Sequence, residues 1–311
     1  MTQTNKKTLH ERNFHNDRYD FKALIQSEPS LNEFVKPNKY GDLSIDFANP
    51  QAVIALNKAL LSFFYGVKNW SIPSDYLCPP IPGRSDYIHH IADLLAASNG
   101  GKIPKGSNIK GLDVGIGANC IYPIVGVSVY GWSFTGSDID EVALKSAQNI
   151  INSNESLKEN IIVKLQTNSK NIFKNIISKE DKFDFTLCNP PFHKSQKDAI
   201  AGNKRKVQNL TKQVVSKAAL NFGGKNNELW CEGAEVAFIK KMIKESKEFS
   251  KNCLWFTTLV SRKENLDFIY DALEDIDVLE YKTINMAHGQ KISRVIAWTF
   301  LTQDEQKAWM K

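Results

Sequence analysis

The chain has 311 residues, of which 42% are hydrophobic and 24% are charged. This composition is typical of a globular protein, and the length favours one large domain with an appendage over two equal domains. Lys and Arg total 40 against 34 for Asp and Glu, which gives a formal net charge of +6. Such a mild basic excess suits a polyanionic partner without requiring one.

The cysteines and the N-terminus predict a protein that is neither secreted nor bound to a membrane. The five cysteines lie far apart and form neither a Cys-x-x-Cys pair for zinc nor a dense disulfide pattern. The first twenty residues lack the apolar core of a signal peptide, and no run of about eighteen apolar residues occurs. We therefore expect reduced thiols and a cytoplasmic protein that contacts no membrane.

The first part of the chain predicts a helical extension. Charged and aromatic residues alternate in LHERNFHNDRYDF (9–21), and NPQAVIALNKALLSFFYGV (49–67) carries apolar residues at helical spacing. The second segment predicts a packed helix that begins at Asn49-Pro50. We assign residues 1–75 to an N-terminal extension.

Residues 76–311 predict an α/β domain. From Gly111 onward, short apolar runs end in Gly or Asp and alternate with helix-like segments, which is typical of a parallel sheet with crossover helices. The expected strands are NIKGLDVG, WSFTGSDID, IIVKLQT, FDFTLCNPP and NCLWFTTLV. DVLEYKTINMAHG and SRVIAWTFL predict an antiparallel pair at the sheet edge.

The first motif is GLDVGIGAN (111–119), an apolar strand that enters a Gly-x-Gly turn. Gly115 and Gly117 let the backbone approach a ligand closely, and Asp113 can accept a hydrogen bond from an ammonium group. These features suit the amino-acid part of S-adenosylmethionine. A dinucleotide site would place a third glycine at the helix start, where this chain has Ala-Asn-Cys. Close packing of the strand on the helix is the structural alternative.

The second expected strand ends in SDID (137–140), a little over twenty residues past the glycines. An acid at this place can bind both ribose hydroxyls of a nucleoside, and we assign that role to Asp138. Asp140 is interpreted as a cap of the following helix. Ile139 lies either against an adenine ring or in the core.

The most specific motif is Asn189-Pro190-Pro191-Phe192, at the end of a strand. An amino group conjugated to an adenine ring is a poor nucleophile, and acceptors must direct its lone pair. The Asn189 side-chain oxygen and the Pro190 carbonyl can accept its two hydrogens, while Phe192 can stack on an extruded base. The alternative is an Asn-Pro turn that merely ends the strand.

PPIPGRSDYI (79–88) predicts a rigid polyproline-like stretch that leads to Arg84 and then to the helix YIHHIADLLA. Arg84 binds either a ligand carboxylate as a bidentate partner or an acid at a helix end. The sequence does not choose between these two roles.

A long basic insertion at about 193–228 follows the Asn-Pro-Pro-Phe motif and includes Lys194, Lys204, Arg205 and Lys206. By itself it reads as a solvated linker, but its position favours a flap that holds phosphates. After it, Val236, Phe238 and Ile239 fit the core face of an ordinary capped helix start, which is favoured over the alternative that Gly223 and Gly224 are hinges for acids that reposition around a substrate.

The histidines do not predict a metal site. His89 and His90 lie on an expected helix and His193 follows Phe192. We find no carboxylate or cysteine beside them at ligand spacing, so we expect no bound metal.

The motifs together resemble a known family. The strings LDVGIGANCIYP, LCNPPFH, LNFGGKNNELWCEGAE and MAHGQKISRVIAWTF, with LHERNFHNDRYDF, are similar to the bacterial methyltransferase F family of the large ribosomal subunit. The resemblance covers nearly the whole chain. It implies a class I, Rossmann-like S-adenosylmethionine-dependent methyltransferase that makes N6-methyladenine in 23S ribosomal RNA. A eukaryotic relative acts on U6 small nuclear RNA and on messenger RNA hairpins.

Residue roles follow from the resemblance by position. It implies that Arg84, Gly115, Asn119 and Asp138 contact S-adenosylmethionine, and that residues 189–192 hold the target adenine. It also implies that the N-terminal aromatic and basic segment and the basic insertion bind RNA, either 23S ribosomal RNA or a large-subunit assembly intermediate.

Two other functions fit parts of the sequence. A protein-glutamine methyltransferase also uses an Asn-Pro-Pro motif, but commonly has tyrosine where this chain has Phe192. A catalytically silent RNA-binding assembly factor would keep the fold, but the intact Gly115, Asp138 and Asn189 argue against it. Cofactor binding would separate an enzyme from such a factor.

Overall fold

A computed structural model describes residues 8–191, 234–288 and 291–311. Its α-helices are α1 (Phe21–Ser27), α2 (Pro50–Tyr65), α3 (Ile81–Ser98), α4 (Ile121–Tyr130), α5 (Glu141–Asn152), α6 (Glu155–Lys158), α7 (Ala234–Ser246), α8 (Leu266–Glu274) and α9 (Gln303–Trp309). Its strands are β1 (Lys36–Pro37), β2 (Leu43–Ser44), β3 (Lys110–Val114), β4 (Ser133–Asp138), β5 (Ile161–Leu165), β6 (Phe183–Cys188), β7 (Cys253–Val260), β8 (Glu280–His288) and β9 (Lys291–Thr299). None of the helices in these ranges is both long and apolar enough to cross a bilayer.

Seven strands form one sheet in the order β5-β4-β3-β6-β7-β9-β8. The first five are parallel neighbours, whereas β9 pairs antiparallel with both β7 and β8. The predicted α/β fold with a mostly parallel sheet and an antiparallel edge is confirmed. The strand order reverses at β3, which lies between β4 and β6, and ligands bind at such a switch point in open α/β sheets.

The central strands are apolar because both faces of the sheet are covered. Every residue of β6 and β7 is buried, which explains why FDFTLC and CLWFTTLV read as continuous runs instead of alternating ones. β6 ends at Cys188, so Asn189 is the first residue beyond the sheet at its carboxyl end.

The predicted helix at Asn49-Pro50 is confirmed as α2. The Asn49 side chain accepts a hydrogen bond from the Gln51 N–H at 3.0 Å, and Gly66 ends the helix with a φ of 68°. Leu60 and Leu61 of α2 belong to the same buried cluster as Trp132 beside β4. The extension therefore shares its core with the sheet.

The helix α3 begins earlier than the sequence predicts. Residues 79–88 were expected to form a polyproline-like stretch, but α3 starts at Ile81, with Pro82 in its first turn. Proline is tolerated there because the first N–H groups of a helix have no partner within the helix. Arg84 consequently projects from the first turn of α3 and not from an extended segment.

A polar network fixes residues 10–15 against α3. The His10 N–H donates to Asp86 Oδ1 at 2.6 Å, and Arg12 donates to Asp93 Oδ1 at 2.6 Å. His15 is buried, and its Nε2 lies 2.8 Å from the Tyr65 hydroxyl of α2. Several residues of the predicted RNA-binding segment thus have intramolecular partners.

We expect this network to make the protein sensitive to acid. Burial lowers the pKa of both His15 and His89 to about 4 from an ordinary value of 6.5. Since the unfolded chain takes up these protons first, the stability from the neutral imidazoles is complete above pH 6.5 and is lost as the pH falls toward 4. Thermal unfolding of the wild type and of His89→Gln between pH 7.5 and pH 4.5 should converge as the pH falls. Parallel curves would contradict this assignment.

Candidate active site

A cavity opens at the carboxyl ends of β3, β4, β5 and β6, with α3, α4 and α7 completing its walls. Its volume is about 160 Å³, whereas a single water needs only about 10–15 Å³ on the same measure. The cavity can therefore hold a ligand, and it lies at the switch point of the sheet.

The predicted glycine turn forms the floor of the cavity. Gly115 and Gly117 both line it, with φ values of 78° and 64° that favour glycine. The N–H groups of Gly115 and Ile116 donate to the Ser137 carbonyl at 2.8 and 3.0 Å. These bonds tie the turn to the end of β4.

Asp138 closes the turn from the neighbouring strand. Its Oδ2 accepts from the Gly117 N–H at 2.9 Å, and its Oδ1 accepts from the Asp140 N–H at 3.0 Å. Burial raises the pKa of Asp138, although these backbone hydrogen bonds act in the opposite direction. Each carboxylate oxygen has a further lone pair, so Asp138 can still accept from a ligand hydroxyl.

The two residues after Asp138 have different roles. Ile139 lines the cavity and is 43% exposed, so it is not a core residue. Asp140 accepts from the N–H groups of Val142 and Ala143 at the start of α5, which confirms the predicted cap. Its other oxygen accepts from the Tyr76 hydroxyl at 2.7 Å.

Asp113 differs from the other predicted ligands. It is fully buried and is not among the residues that line the cavity. Its two carboxylate oxygens find no hydrogen-bond partner in the described part of the chain. Burial and the charge of Asp138 raise the pKa of Asp113 well above its ordinary value, while Arg84 lowers it. Asp113 is thus a buried acid that ionises reluctantly.

Arg84 and Asn119 both line the cavity beside the glycine turn. Arg84 donates to the Tyr122 hydroxyl at 2.7 Å. The Asn119 side-chain oxygen accepts from the Ile121 N–H at 3.1 Å, and the Asn119 backbone carbonyl accepts from the Trp70 indole N–H at 2.9 Å. The structure thus places both residues on the wall of the cavity, where their contact with a cofactor stays a prediction.

Asn189 and Pro191 line the same cavity, and Pro190 is buried between them. The structure thereby brings the Asn-Pro-Pro segment next to the glycine turn and Asp138. Phe192 and the predicted RNA-binding residues Lys194, Lys204, Arg205 and Lys206 lie outside the described residues.

Sequence reasoning missed one wall of the cavity. This wall comprises Gln166, which directly follows β5, and Ser169, Asn171 and Ile172 in the next loop. The position of Gln166 at the carboxyl end of a parallel strand is the signal that points to it. The loop after Gln166 has no motif that marks it as part of a site.

A buried carboxylate holds this loop in place. Glu245 on α7 accepts from the backbone N–H groups of Ile172, Phe173 and Lys174, at 2.7 to 3.1 Å. Three N–H groups that converge on one carboxylate make a strong, charge-assisted anchor. The helix after the basic insertion is therefore fixed to the wall of the cavity.

Phe238 was expected in the core, but the structure places it at the cavity. Phe238 lines the cavity and is half-buried, as is Val236, whereas Ile239 is fully buried as expected. The helical spacing predicts only which face of α7 turns inward. That face borders both the core and the cavity, and the sequence does not show which residue meets which.

Among the residues that the structure describes, His10, His90 and Asp93 lie close enough together to hold a metal ion. The sequence interpretation overlooked Asp93, three residues after His90. However, His10 Nδ1 accepts from the Arg12 N–H, so its Nε2 carries the proton that it donates to Asp93. Arg12 occupies the other Asp93 oxygen. This chemistry favours an anchor of the N-terminal segment over a metal site.

Comparison with known proteins places these residues in a family context. The model of a family described as RNA methyltransferase matches residues 3–302. A protein of Photobacterium profundum named ribosomal RNA large subunit methyltransferase F is 55% identical over 98% of this chain and 95% of its own length. A protein of the same name from Serratia proteamaculans is 57% identical over 98% of this chain and 91% of its own length.

Solved structures of human METTL16 share the fold. Its catalytic domain in complex with MAT2A 3′UTR hairpin 1 superposes with a TM-score of 0.80 at 29% identity, covering 95% of this chain and 96% of that one. Its N-terminal domain in complex with SAH gives a TM-score of 0.74 at 26% identity, covering 95% of this chain and all of that one.

We expect Asp113→Asn to change how stability depends on pH. The unfolded chain releases the Asp113 proton near pH 3.8, whereas the folded protein holds it to a much higher pH. Stability in the absence of ligand therefore falls as the pH rises above 3.8, and asparagine removes this loss. The advantage of Asp113→Asn in the temperature of thermal unfolding should grow between pH 5 and pH 8. An advantage that stays constant over this range would show that Asp113 is already ionised in the fold.

Proposed function

This chain belongs to the RNA methyltransferase family, and from that premise we propose that it transfers a methyl group from S-adenosylmethionine to N6 of an adenine in 23S ribosomal RNA. The observation that carries the proposal is the shared cavity of Asn189 and Pro191 with the glycine turn and Asp138. One end of the cavity suits a nucleoside and the other suits an exocyclic amine. The names of the relatives support ribosomal RNA as the substrate.

The donors and acceptors of the cavity fit S-adenosylmethionine. Asp138 offers carboxylate lone pairs for the two ribose hydroxyls, and the exposed face of Ile139 suits an adenine ring. Arg84 offers guanidinium N–H groups for the carboxylate of the amino-acid part. Asp113 does not line the cavity and ionises reluctantly, so it is proposed to pair with an ammonium group only when that charge, bound near the turn, favours the ionised carboxylate. The SAH complex of METTL16 supports the same ligand class.

Asn189 and Pro190 prepare the nucleophile. When bound, S-adenosylmethionine supplies an electrophilic methyl group on a sulfonium. The adenine amino group is a weak nucleophile because the ring delocalises its lone pair. The Asn189 side-chain oxygen and the Pro190 carbonyl accept the two N–H hydrogens, which directs the lone pair out of the ring plane. Transfer would form the nitrogen–carbon bond and break the sulfur–methyl bond, with S-adenosylhomocysteine as the leaving group. The methylated amine is acidic at that point and one proton leaves to solvent, so no strong base is required.

The target base must leave any stack to reach this cavity. Flipping the base out exposes its Watson–Crick edge to Asn189, and Phe192 is proposed to stack on the ring. The lysine-rich insertion with Lys194, Lys204, Arg205 and Lys206 is proposed to hold the RNA backbone. The hairpin complex of METTL16 supports an RNA substrate for this fold.

The substrate is either free 23S ribosomal RNA or a large-subunit assembly intermediate, and the expected location is the cytoplasm. The direct test incubates purified protein with methyl-labelled S-adenosylmethionine and RNA or ribosomal particles from cells that lack the enzyme. We expect label in N6-methyladenosine from the large ribosomal RNA. Label in protein glutamine alone would refute the proposal in favour of a glutamine methyltransferase.

We predict that Asn189→Ala separates catalysis from cofactor binding. The variant loses one acceptor for the adenine amino group, so kcat should fall at least about tenfold. The dissociation constant for S-adenosylhomocysteine, measured by calorimetry, should change by less than about twofold, because Asn189 is not needed to bind the nucleoside. Asn152→Ala, on the exposed face of α5, is the matched control and should alter neither value. Equal losses of kcat and affinity in Asn189→Ala would mean that Asn189 is structural.

A further inference from the structure

Arg84 and Tyr122 meet on the wall of the cavity. Arg84 lies in the first turn of α3 and Tyr122 in the first turn of α4. The Arg84 Nη1 donates to the Tyr122 hydroxyl at 2.7 Å, and the guanidinium carbon is 5.4 Å from the centre of the phenol ring. Both residues line the cavity, so this contact joins two helices at the ligand surface.

The Tyr122 ring is itself held rigidly. Tyr122 is only 5% exposed, and its ring packs edge-on against Tyr87 with a centroid distance of 5.5 Å and an interplanar angle of 88°. The Thr257 hydroxyl donates to the Thr186 carbonyl at 2.7 Å, which leaves its oxygen to accept from the Tyr87 hydroxyl at 2.7 Å. Tyr122 therefore rests on a side chain that is bonded to the central strands β6 and β7.

The hydrogen-bond count leaves donors for a ligand. A guanidinium has five N–H groups, and Tyr122 takes one of them. Over residues 8–191, 234–288 and 291–311, no Asp or Glu oxygen lies within 4.0 Å of the Arg84 nitrogens. Burial raises the pKa of Tyr122, which keeps its hydroxyl protonated. Because this hydroxyl accepts from Arg84, its own O–H is available to donate into the cavity.

We propose that Tyr122 is the positioning residue that aims Arg84 at the carboxylate of the cofactor and adds its own O–H to that carboxylate. The inference rests on the proposed function, because it needs a cofactor with an amino-acid end. Tyr122 lies outside the glycine turn and the Asn-Pro-Pro segment. It contributes to binding of the amino-acid part of the ligand and not to binding of the nucleoside part. A planar guanidinium binds a carboxylate well only when its orientation is fixed.

Calorimetry with two ligands tests the proposal. S-Adenosylhomocysteine carries the carboxylate, whereas 5′-methylthioadenosine has the same nucleoside and sulfur without the amino-acid part. Tyr122→Phe removes one hydroxyl and should weaken S-adenosylhomocysteine binding by about tenfold, the scale of a hydrogen bond to a charged group. It should leave 5′-methylthioadenosine binding within about twofold.

Tyr130→Phe is the matched control, since it removes an equally buried tyrosine hydroxyl at the other end of α4 that does not line the cavity. It should change neither affinity by more than about twofold. In an Arg84→Met background, Tyr122→Phe should lose most of its effect, because the two residues act on the same carboxylate. In steady state, Tyr122→Phe should raise KM for S-adenosylmethionine with little change in kcat.

Three results would overturn the proposal. Tyr122→Phe could weaken both ligands equally, which would make its role structural. It could also weaken neither ligand, or the control Tyr130→Phe could have the same effect as Tyr122→Phe. All three presuppose that the wild type binds S-adenosylhomocysteine and methylates RNA, so they leave the proposed function intact. A wild type that binds neither ligand would instead contradict the proposed function itself.

Discussion

The bond between the Asp138 carboxylate and the Gly117 N–H is the contact on which the site depends. It joins the ends of β3 and β4, and with the bonds from Gly115 and Ile116 to the Ser137 carbonyl it sets the shape of the turn. A Cβ at Gly136 would overlap the Ile116 side chain, so glycine at this place in β4 leaves room for that side chain of the turn. The same carboxylate is the proposed ribose acceptor, and any change that moves it alters both the turn and the ligand site.

The N-terminal extension supports the cofactor side of the cavity as well as presenting a surface. The Trp70 indole holds the Asn119 carbonyl, and the Tyr76 hydroxyl holds Asp140. Asn57 of α2 donates to the Pro79 carbonyl at 2.7 Å, just before the helix that carries Arg84. Two of these contacts reach residues that line the cavity, Asn119 and Asp140, and the third reaches the segment just before α3. A role for the extension in RNA binding would therefore be mechanically linked to the cofactor site.

The parts of the site that the sequence predicts well are motifs of consecutive residues. Asp138 ends a strand, the glycine turn and the Asn-Pro-Pro segment each follow a strand directly, and parallel strands bring their carboxyl ends to one edge of a sheet. Tyr122 and Glu245 could not be predicted in the same way, because their roles come from partners 38 and 71 to 73 residues away. The predicted start of α3 was wrong because a proline-rich sequence is compatible with both an extended segment and the first turn of a helix.

The central claim is that one cavity binds the methyl donor at the turn and presents the adenine amino group at Asn189. The crystal structure of the protein with S-adenosylhomocysteine tests it most directly. We expect the ribose hydroxyls on Asp138, the carboxylate on Arg84 and Tyr122, and the sulfur facing Asn189. A ligand with its ribose away from Asp138, or with its sulfur turned from Asn189, would contradict this claim.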